Sequence, residues 1–282
     1  MKIGVMVESF RLDLEGGLKA AAEVGAQGVQ IYATGGEMDP QALNAAKRAE
    51  LRRRIGGHGL ELAALCGDFG GHGFQVEKDN KKRIEDSKRV MELALDLGCQ
   101  VVTTHIGVVP ADRSNRRYGI LARACEKLGE FGKSVGAVFA IETGPESSTV
   151  LRGFLDDIGI PKGIGVNFDP ANLAMVIREP SVQAVQNLAP YIVHTHAKDG
   201  VNLKPFDAEK CYNPAEGDPP FPWQEYIREV PLGEGQVHFE TYLPALRKAG
   251  FDGYLTIERE VGDNPARDIR KAVEFLKEQL GK

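Results

Sequence analysis

Five short stretches of the chain end in residues whose side chains bind metal ions or carry protons: VVTTHIG at 101–107, FAIETG at 139–144, GVNFDPAN at 165–172, IVHTHAKD at 192–199 and LTIERE at 255–260. The apolar run leading into each has strand character, and strand side chains alternate between two faces. With the aliphatic neighbours taken as the outward face, His105, Glu142, Asp169, His196 and Glu258 fall on the inner one, each at the last turn of its strand. Two glutamates, an aspartate and histidines in one buried layer carry a desolvation cost of several kcal/mol for each unpaired carboxylate. A divalent cation removes that cost. A carboxylate-rich set with a single imidazole suits hard or borderline ions, Mn²⁺ first and then Mg²⁺, Co²⁺ or Zn²⁺.

Each of these residues also has an ordinary structural reading. An inward histidine such as His105 or His194, taken alone, reads as a hydrogen-bonded core residue; for His196 the neighbouring carboxylates favour a ligand. Asp169 stands before Pro170 and fits the start of a turn, but its inward phase after GVNF favours the ligand reading. His72 lies in GDFGGHGF, either as a loop residue or as a substrate contact. Those glycines are not a phosphate-cradling loop, because no G-K-[ST] follows.

These groups need a scaffold that brings five strand ends together. Strand-like runs recur at 3–7, 28–33, 60–65, 101–106, 138–142, 165–169, 192–196 and 254–258, with amphipathic stretches such as 80–97 between them. Strands alternating with helices imply βαβ units and a parallel sheet. The stretches EVGAQGVQIY, DLGCQVVTTH, SVGAVFAIET and KAGFDGYLTIE repeat one junction, a helix closed by glycine that steps directly into a strand. Glycine takes the positive φ of the helix C-cap there. Eight such units closing on themselves predict a single-domain (β/α)₈ TIM barrel over 1–282. The rival is an open doubly wound sheet, but its G-x-G-x-x-G fingerprint is missing from ESFRLDLEGG after the first strand. Residues 199–237 are too long for an ordinary loop and carry Pro205, Pro214, Pro219, Pro220, Pro222 and Pro231. Leaving the seventh strand on the catalytic face, they read as a wall or lid. Phe206, Tyr212, Phe221, Trp223 and Tyr226 argue that this segment packs.

The bulk composition excludes other classes. The 282 residues are 42% hydrophobic with a net charge of −5, and the lysines and arginines are scattered. The one tight basic run, Arg52 to Arg54, closes a helical pattern and reads as a solvated face rather than a nucleic-acid patch. No apolar stretch approaches the roughly 20 residues of a membrane span, and Glu8 interrupts the start before a signal-peptide core develops. The four cysteines have no C-x-x-C spacing, as suits free thiols in a reducing compartment. The expectation is a cytoplasmic protein without nucleic-acid or membrane partners.

With these residues placed, the chain resembles the xylose isomerase-like barrel superfamily, the sugar phosphate isomerase/epimerase group related to ketose 3-epimerases, inosose dehydratase and endonuclease IV. AIETG, VNFDPANL, HTHAKD and VPLGEGQVHFETYLPALRKAGFDGYLTIERE carry the resemblance. It implies a metal held by Glu142, Asp169, His196 and Glu258, the residues that strand alternation selects. It also implies that Glu142 and Glu258 shuttle a proton next to a substrate carbonyl while the metal steadies the enediolate. Asn172 matches a substrate-contacting position, His105 reaches substrate hydroxyls or the lid, and His194 supports His196 from below. Lys198, Asp199, Glu260 and His72 complete the candidate substrate contacts. The implied partner is a small sugar or keto-sugar, and members of the group often form homo-oligomers.

Three other functions compete. A lyase or dehydratase would use the same site and expel a β-substituent. An endonuclease IV-like enzyme would need more histidines, including one where this chain has Asn172, and the acidic net charge opposes a phosphate backbone. A non-catalytic binding subunit is disfavoured by the intact four-ligand set.

Overall fold

The computed structural model describes residues 1–212 and 219–281. Eight parallel strands close into a barrel: β1 (Lys2–Met6), β2 (Gly28–Tyr32), β3 (Glu61–Cys66), β4 (Val101–Thr104), β5 (Val138–Glu142), β6 (Ile164–Phe168), β7 (Ile192–Ala197) and β10 (Tyr254–Ile257), the last pairing back onto β1. Their apolar outer faces pack against a surrounding layer of helices, with Phe139, Ile141, Val166, Leu255 and Leu121 fully buried. The chain is therefore the expected TIM barrel. Gly25, Gly98, Gly136 and Gly250 have φ of +82°, +88°, +85° and +85°, so each repeat junction uses the backbone freedom that only glycine has cheaply.

At the mouth of the barrel three strand ends fall short of the sequence expectation. β6 and β10 stop one residue early and β4 two, so His105, Asp169 and Glu258 stand just beyond the ladder instead of within it. Asp169 shows the physical reason. Its side chain accepts from the amides of Ala171 and Asn172 and caps a short helical turn with Pro170 at its first position, which ends strand pairing there.

The insert after β7 opens and closes with an antiparallel ribbon, β8 (Asp199–Asn202) against β9 (Ile227–Val230), which sequence patterning did not anticipate. Beyond the ribbon, Phe206, Phe221, Trp223 and Tyr226 stack with ring centroids 4.6–5.8 Å apart, and Tyr212 lies 4.7 Å from Trp223. The segment packs as its aromatic content argued; Pro214 lies outside the described residues. Two buried groups tie the ribbon down. The Asp199 carboxylate accepts from the backbone amides of Gly200, Gly233, Gly235 and Val237 at 2.8–3.0 Å. Arg259, just beyond β10, donates to Glu229 at 2.6 Å and to Asp268 at 3.2 Å.

Removing the Asp199 carboxylate strands four amide donors in a buried turn. Asp199→Ala is therefore expected to cost on the order of 2–4 kcal/mol of stability, read by chemical denaturation, and to sensitise 200–237 to protease. An unchanged denaturation midpoint would show that the turn holds without this carboxylate.

Candidate metal centre and active site

The four residues selected by alternation converge at the C-terminal mouth of the barrel. His196 and Asp169 are fully buried, and Glu142 and Glu258 are 6% and 8% exposed. His196 Nδ1 lies 3.5 Å from Glu142 Oε1, 3.6 Å from Asp169 Oδ2 and 3.2 Å from Glu258 Oε2. One potential ligand atom from each of the four lies within 4.8 Å of all the others.

The fit to a cation can be tested on the atoms left over. Asp169 Oδ1 is taken by the amides of Ala171 and Asn172 at 2.8 and 3.0 Å, whereas Asp169 Oδ2 has no hydrogen-bond partner. His196 Nδ1 also has none, while its Nε2 lies 3.2 Å from Gln30 Oε1. Two orphaned buried atoms aimed at one point are costly unless something binds there. Three carboxylates and one imidazole suit Mn²⁺, Mg²⁺ or Co²⁺, so the residues fit a divalent ion.

The protonation states follow from the same crowding. Burial opposes charge on Glu142, but His105 and His196 outweigh it and hold its carboxyl well below the usual range. Burial likewise opposes charge on Glu258, yet Lys198 and His196 bring it down to about 2. Burial disfavours the His196 imidazolium, but Glu142 and Glu258 raise its pKa well above the ordinary value. His194 is the opposite case, pushed down to about 3 by burial and the charge of His196.

A cavity of about 200 Å³ opens over this centre, and Met6, Tyr32, Cys66, Gly144, Pro145 and Tyr212 contribute to its walls. His105, Asn172, Lys198 and Glu260, all expected at the site, line it too. Asn172 Nδ2 donates to Glu142 Oε1 at 3.1 Å. Lys198 Nζ donates to Glu258 Oε2 at 2.9 Å and pairs with Glu260. His105 Nδ1 pairs with Asp68 Oδ2 at 2.9 Å, and its Nε2 lies 3.4 Å from Glu142 Oε1.

Two residues expected as substrate contacts, Asp199 and His72, are engaged elsewhere, and His194 takes the supporting place beneath the centre that was expected of it. Asp199 holds the 233–237 turn. His72 pairs with Asp79 at 3.0 Å on the loop after β3. His194 lies beneath the centre, against Gln30 Oε1 at 2.8 Å and Thr256 Oγ1 at 3.0 Å. None of the three lines the cavity among the described residues. A larger groove of about 720 Å³, between the helices Glu77–Leu97 and Arg116–Val135, lies on the outside of the barrel and holds none of these groups.

Sequence reasoning missed Gln30, Thr103, Asn167 and Thr256, all 0% exposed, which form a polar layer under the centre. The signal was present as an inward-phase polar residue in each of the runs GVQIY, VVTT, IGVNF and YLTI. Tyr32 and Cys66 end their strands in the same way, and Asp68 could only be paired with His105 once β3 and β4 were adjacent.

Residues 18–279 match the sequence profile of the family described as xylose isomerase-like TIM barrel. An uncharacterized protein of Methanocaldococcus jannaschii is 28% identical over 72% of this chain, and the matched region spans 64% of that relative's length. The rhizopine catabolism protein MocC of Rhizobium meliloti is 28% identical over 79% of this chain and 70% of its own. Among solved structures, a xylose isomerase domain protein from Planctomyces limnophilus superposes with a TM-score of 0.80 at 26% identity, covering 99% of this chain and 96% of that one. The fold is shared with a probable 3-DHS dehydratase, AsbF, from Bacillus anthracis (TM-score 0.75, 19% identity, 98% and 99% covered). It is also shared with a D-psicose 3-epimerase (TM-score 0.74, 15% identity, 100% of both chains).

Purified protein is expected to carry or take up about one divalent ion per chain, lost in Glu142→Ala and His196→Ala. His196 must give up its raised-pKa proton to bind metal, so affinity is expected to weaken as pH falls. Calorimetry in buffers of different ionisation enthalpy should register proton release. A thermal midpoint unmoved by Mn²⁺, Mg²⁺, Co²⁺ and Zn²⁺ alike would refute the metal reading, and uptake independent of pH would refute the competition between ion and proton at His196.

Proposed function

Since the chain belongs to the xylose isomerase-like TIM barrel family, we propose that it is a divalent-metal-dependent isomerase or epimerase of an uncharged sugar or keto-sugar. The observation that carries the reading is the pair Glu142 and Glu258. They reach one point from β5 and β10, two strands of the barrel with β6 and β7 between them. Glu142, Asp169, His196 and Glu258 would hold the ion. When bound, a divalent cation supplies a Lewis acid for substrate carbonyl and hydroxyl oxygens.

The remaining chemistry belongs to the chain. Glu142 accepts from Asn167 at Oε2 and from Asn172 at Oε1, which fixes the plane of the carboxylate, while His105 and His196 keep it ionised. Lys198 does the same for Glu258. One carboxylate removes a proton from the carbon beside the substrate carbonyl and the other returns it, with His105 and Asn172 contacting hydroxyls. Tyr212, which lines the cavity, would limit access of water to it.

Charge supports an uncharged substrate. Among the described residues lining the cavity, the cationic groups are Lys198 and His105. Lys198 is matched by Glu258 and Glu260, and His105 by Asp68 and Glu142. Among the described side chains of the cavity, a phosphate would find no cation without a carboxylate already against it.

One feature favours a dehydratase instead. The Asp68–His105 pair offers an acid beyond the two glutamates, and elimination needs one for a departing hydroxyl.

The test is incubation of the metal-loaded protein with ketohexoses, inososes and their phosphates in D₂O. The expected product is an isomer that has gained one deuteron, formed from the free sugar in preference to its phosphate. A product lighter by one water would establish the dehydratase. Glu142→Gln and Glu258→Gln should each lose about 10²–10⁴-fold in turnover; full turnover in both would sink the assignment of the acid–base pair.

A further inference from the structure

Directly below the metal centre, four barrel strands each contribute one buried polar side chain: Gln30 from β2, Thr103 from β4, Asn167 from β6 and Thr256 from β10. Barrel interiors are filled by layers of four side chains from alternate strands, usually branched and aliphatic. A polar layer is costly to bury unless its groups are paired, and apart from Asn167 Oδ1, which has no hydrogen-bond partner, these are paired in a specific order. Gln30 Nε2 donates to Thr103 Oγ1 at 3.0 Å, which turns the amide oxygen towards β7. That oxygen lies 3.2 Å from His196 Nε2 and 2.8 Å from His194 Nε2. The strand pairing shifts register at both amides, between Val29 and Gln30 and between Val166 and Asn167. Such irregularities re-aim side chains beside active sites.

We infer that Gln30 is a positioning residue that sets the tautomer of His196, drawing the ring proton onto Nε2 so that Nδ1 presents its lone pair to the centre formed with Glu142, Asp169 and Glu258. The inference rests on the metal-binding reading above. A ligating histidine needs its other ring nitrogen engaged by an acceptor, and removing that acceptor typically costs 10–100-fold in metal affinity.

One neighbour competes for the same nitrogen. Asn167 Nδ2 lies 3.2 Å from His196 Nε2 and donates to Glu142 Oε2 at 3.0 Å. If it donated to a bare Nε2, the ring proton would sit on Nδ1, in the space that a cation needs. The Gln30 oxygen opposes that arrangement, because it is an acceptor held against Nε2 by the Thr103 bond.

The inference can be read first without any variant. Long-range ¹H–¹⁵N spectra of the histidine-labelled, Zn²⁺-loaded protein should show His196 protonated at Nε2 and metallated at Nδ1. The reverse pattern overturns the proposal. Gln30→Met, which keeps the length and removes the acceptor, should weaken Zn²⁺ and Mn²⁺ binding about 10–100-fold by competition with a chelator. Gln30→Glu, which keeps an acceptor oxygen, should restore most of it. Affinity within about threefold of wild type in Gln30→Met, with the fold intact by circular dichroism, overturns the positioning role while leaving the metal centre standing. Wild-type protein that binds neither ion fails the metal reading itself, and the inference with it. Should Gln30→Met not fold, Thr103→Val releases the amide from its orienting bond and is expected to weaken binding in the same direction; undiminished affinity there counts against the proposal.

Discussion

Three carboxylates and an imidazole share a space less than 5 Å across at the mouth of the barrel, and the surrounding structure answers to the cost of that arrangement. Like charges this close and this buried repel by several kcal/mol unless a cation stands among them. The protein supplies part of the compensation from its own chain. Lys198 lies against Glu258, and His105 lies against Glu142. Asp169 spends one oxygen on the helical turn that it caps and leaves the other unpartnered. The residual demand for positive charge falls on His196 Nδ1, which lies 3.2–3.6 Å from all three carboxylates, so a proton and a divalent ion would compete for that nitrogen.

The barrel is suited to hold such a cluster because its strands are fixed by one another on both sides. The ligands stand at or just past the last ladder hydrogen bond, where side chains are aimed by the strand but backbone amides are free to bind them. Below the ligands, the interior changes from aliphatic to amide and hydroxyl groups, which orient the carboxylates and imidazoles without adding charge. Above them, the insert is held by groups of a different kind. Asp199 gathers four amides and Arg259 bridges two carboxylates, so the wall of the cavity is anchored to strand ends on either side of the centre. The same HTHAKD segment thus supplies the imidazole of the candidate metal centre, the ammonium beside Glu258 and the anchor of the insert. That explains why polar residues are so dense there.

The fold and the four central residues were legible in the sequence for a simple reason. Alternation along a strand is local, and a carboxylate or histidine at the inner phase of an apolar run stands out without knowledge of its neighbours. The glycine at each helix-to-strand junction is equally local, since a positive φ leaves few other choices. Tyr212 and the aromatic residues of the insert announced packing by composition alone.

Partnership was not legible, because it is set by contacts between residues far apart in the chain. Asp199 looked like a substrate contact by its place beside His196, but the turn at 233–237 folds back and occupies it. His72 pairs with Asp79 only a few residues further along the chain, whereas His194, placed by phase, has in Gln30 a partner that only the closed barrel brings within reach. Gln30 lies 166 residues from His196 in the chain and 3.2 Å from it in space. The sequence by itself determined the barrel, the order of its strands and the identity of the residues at its mouth, because these follow from periodicity and side-chain type. Which oxygen or nitrogen of each residue is free to act, and which is already bound, was decided only by tertiary structure, because hydrogen-bond pairing depends on distances that closure of the sheet creates.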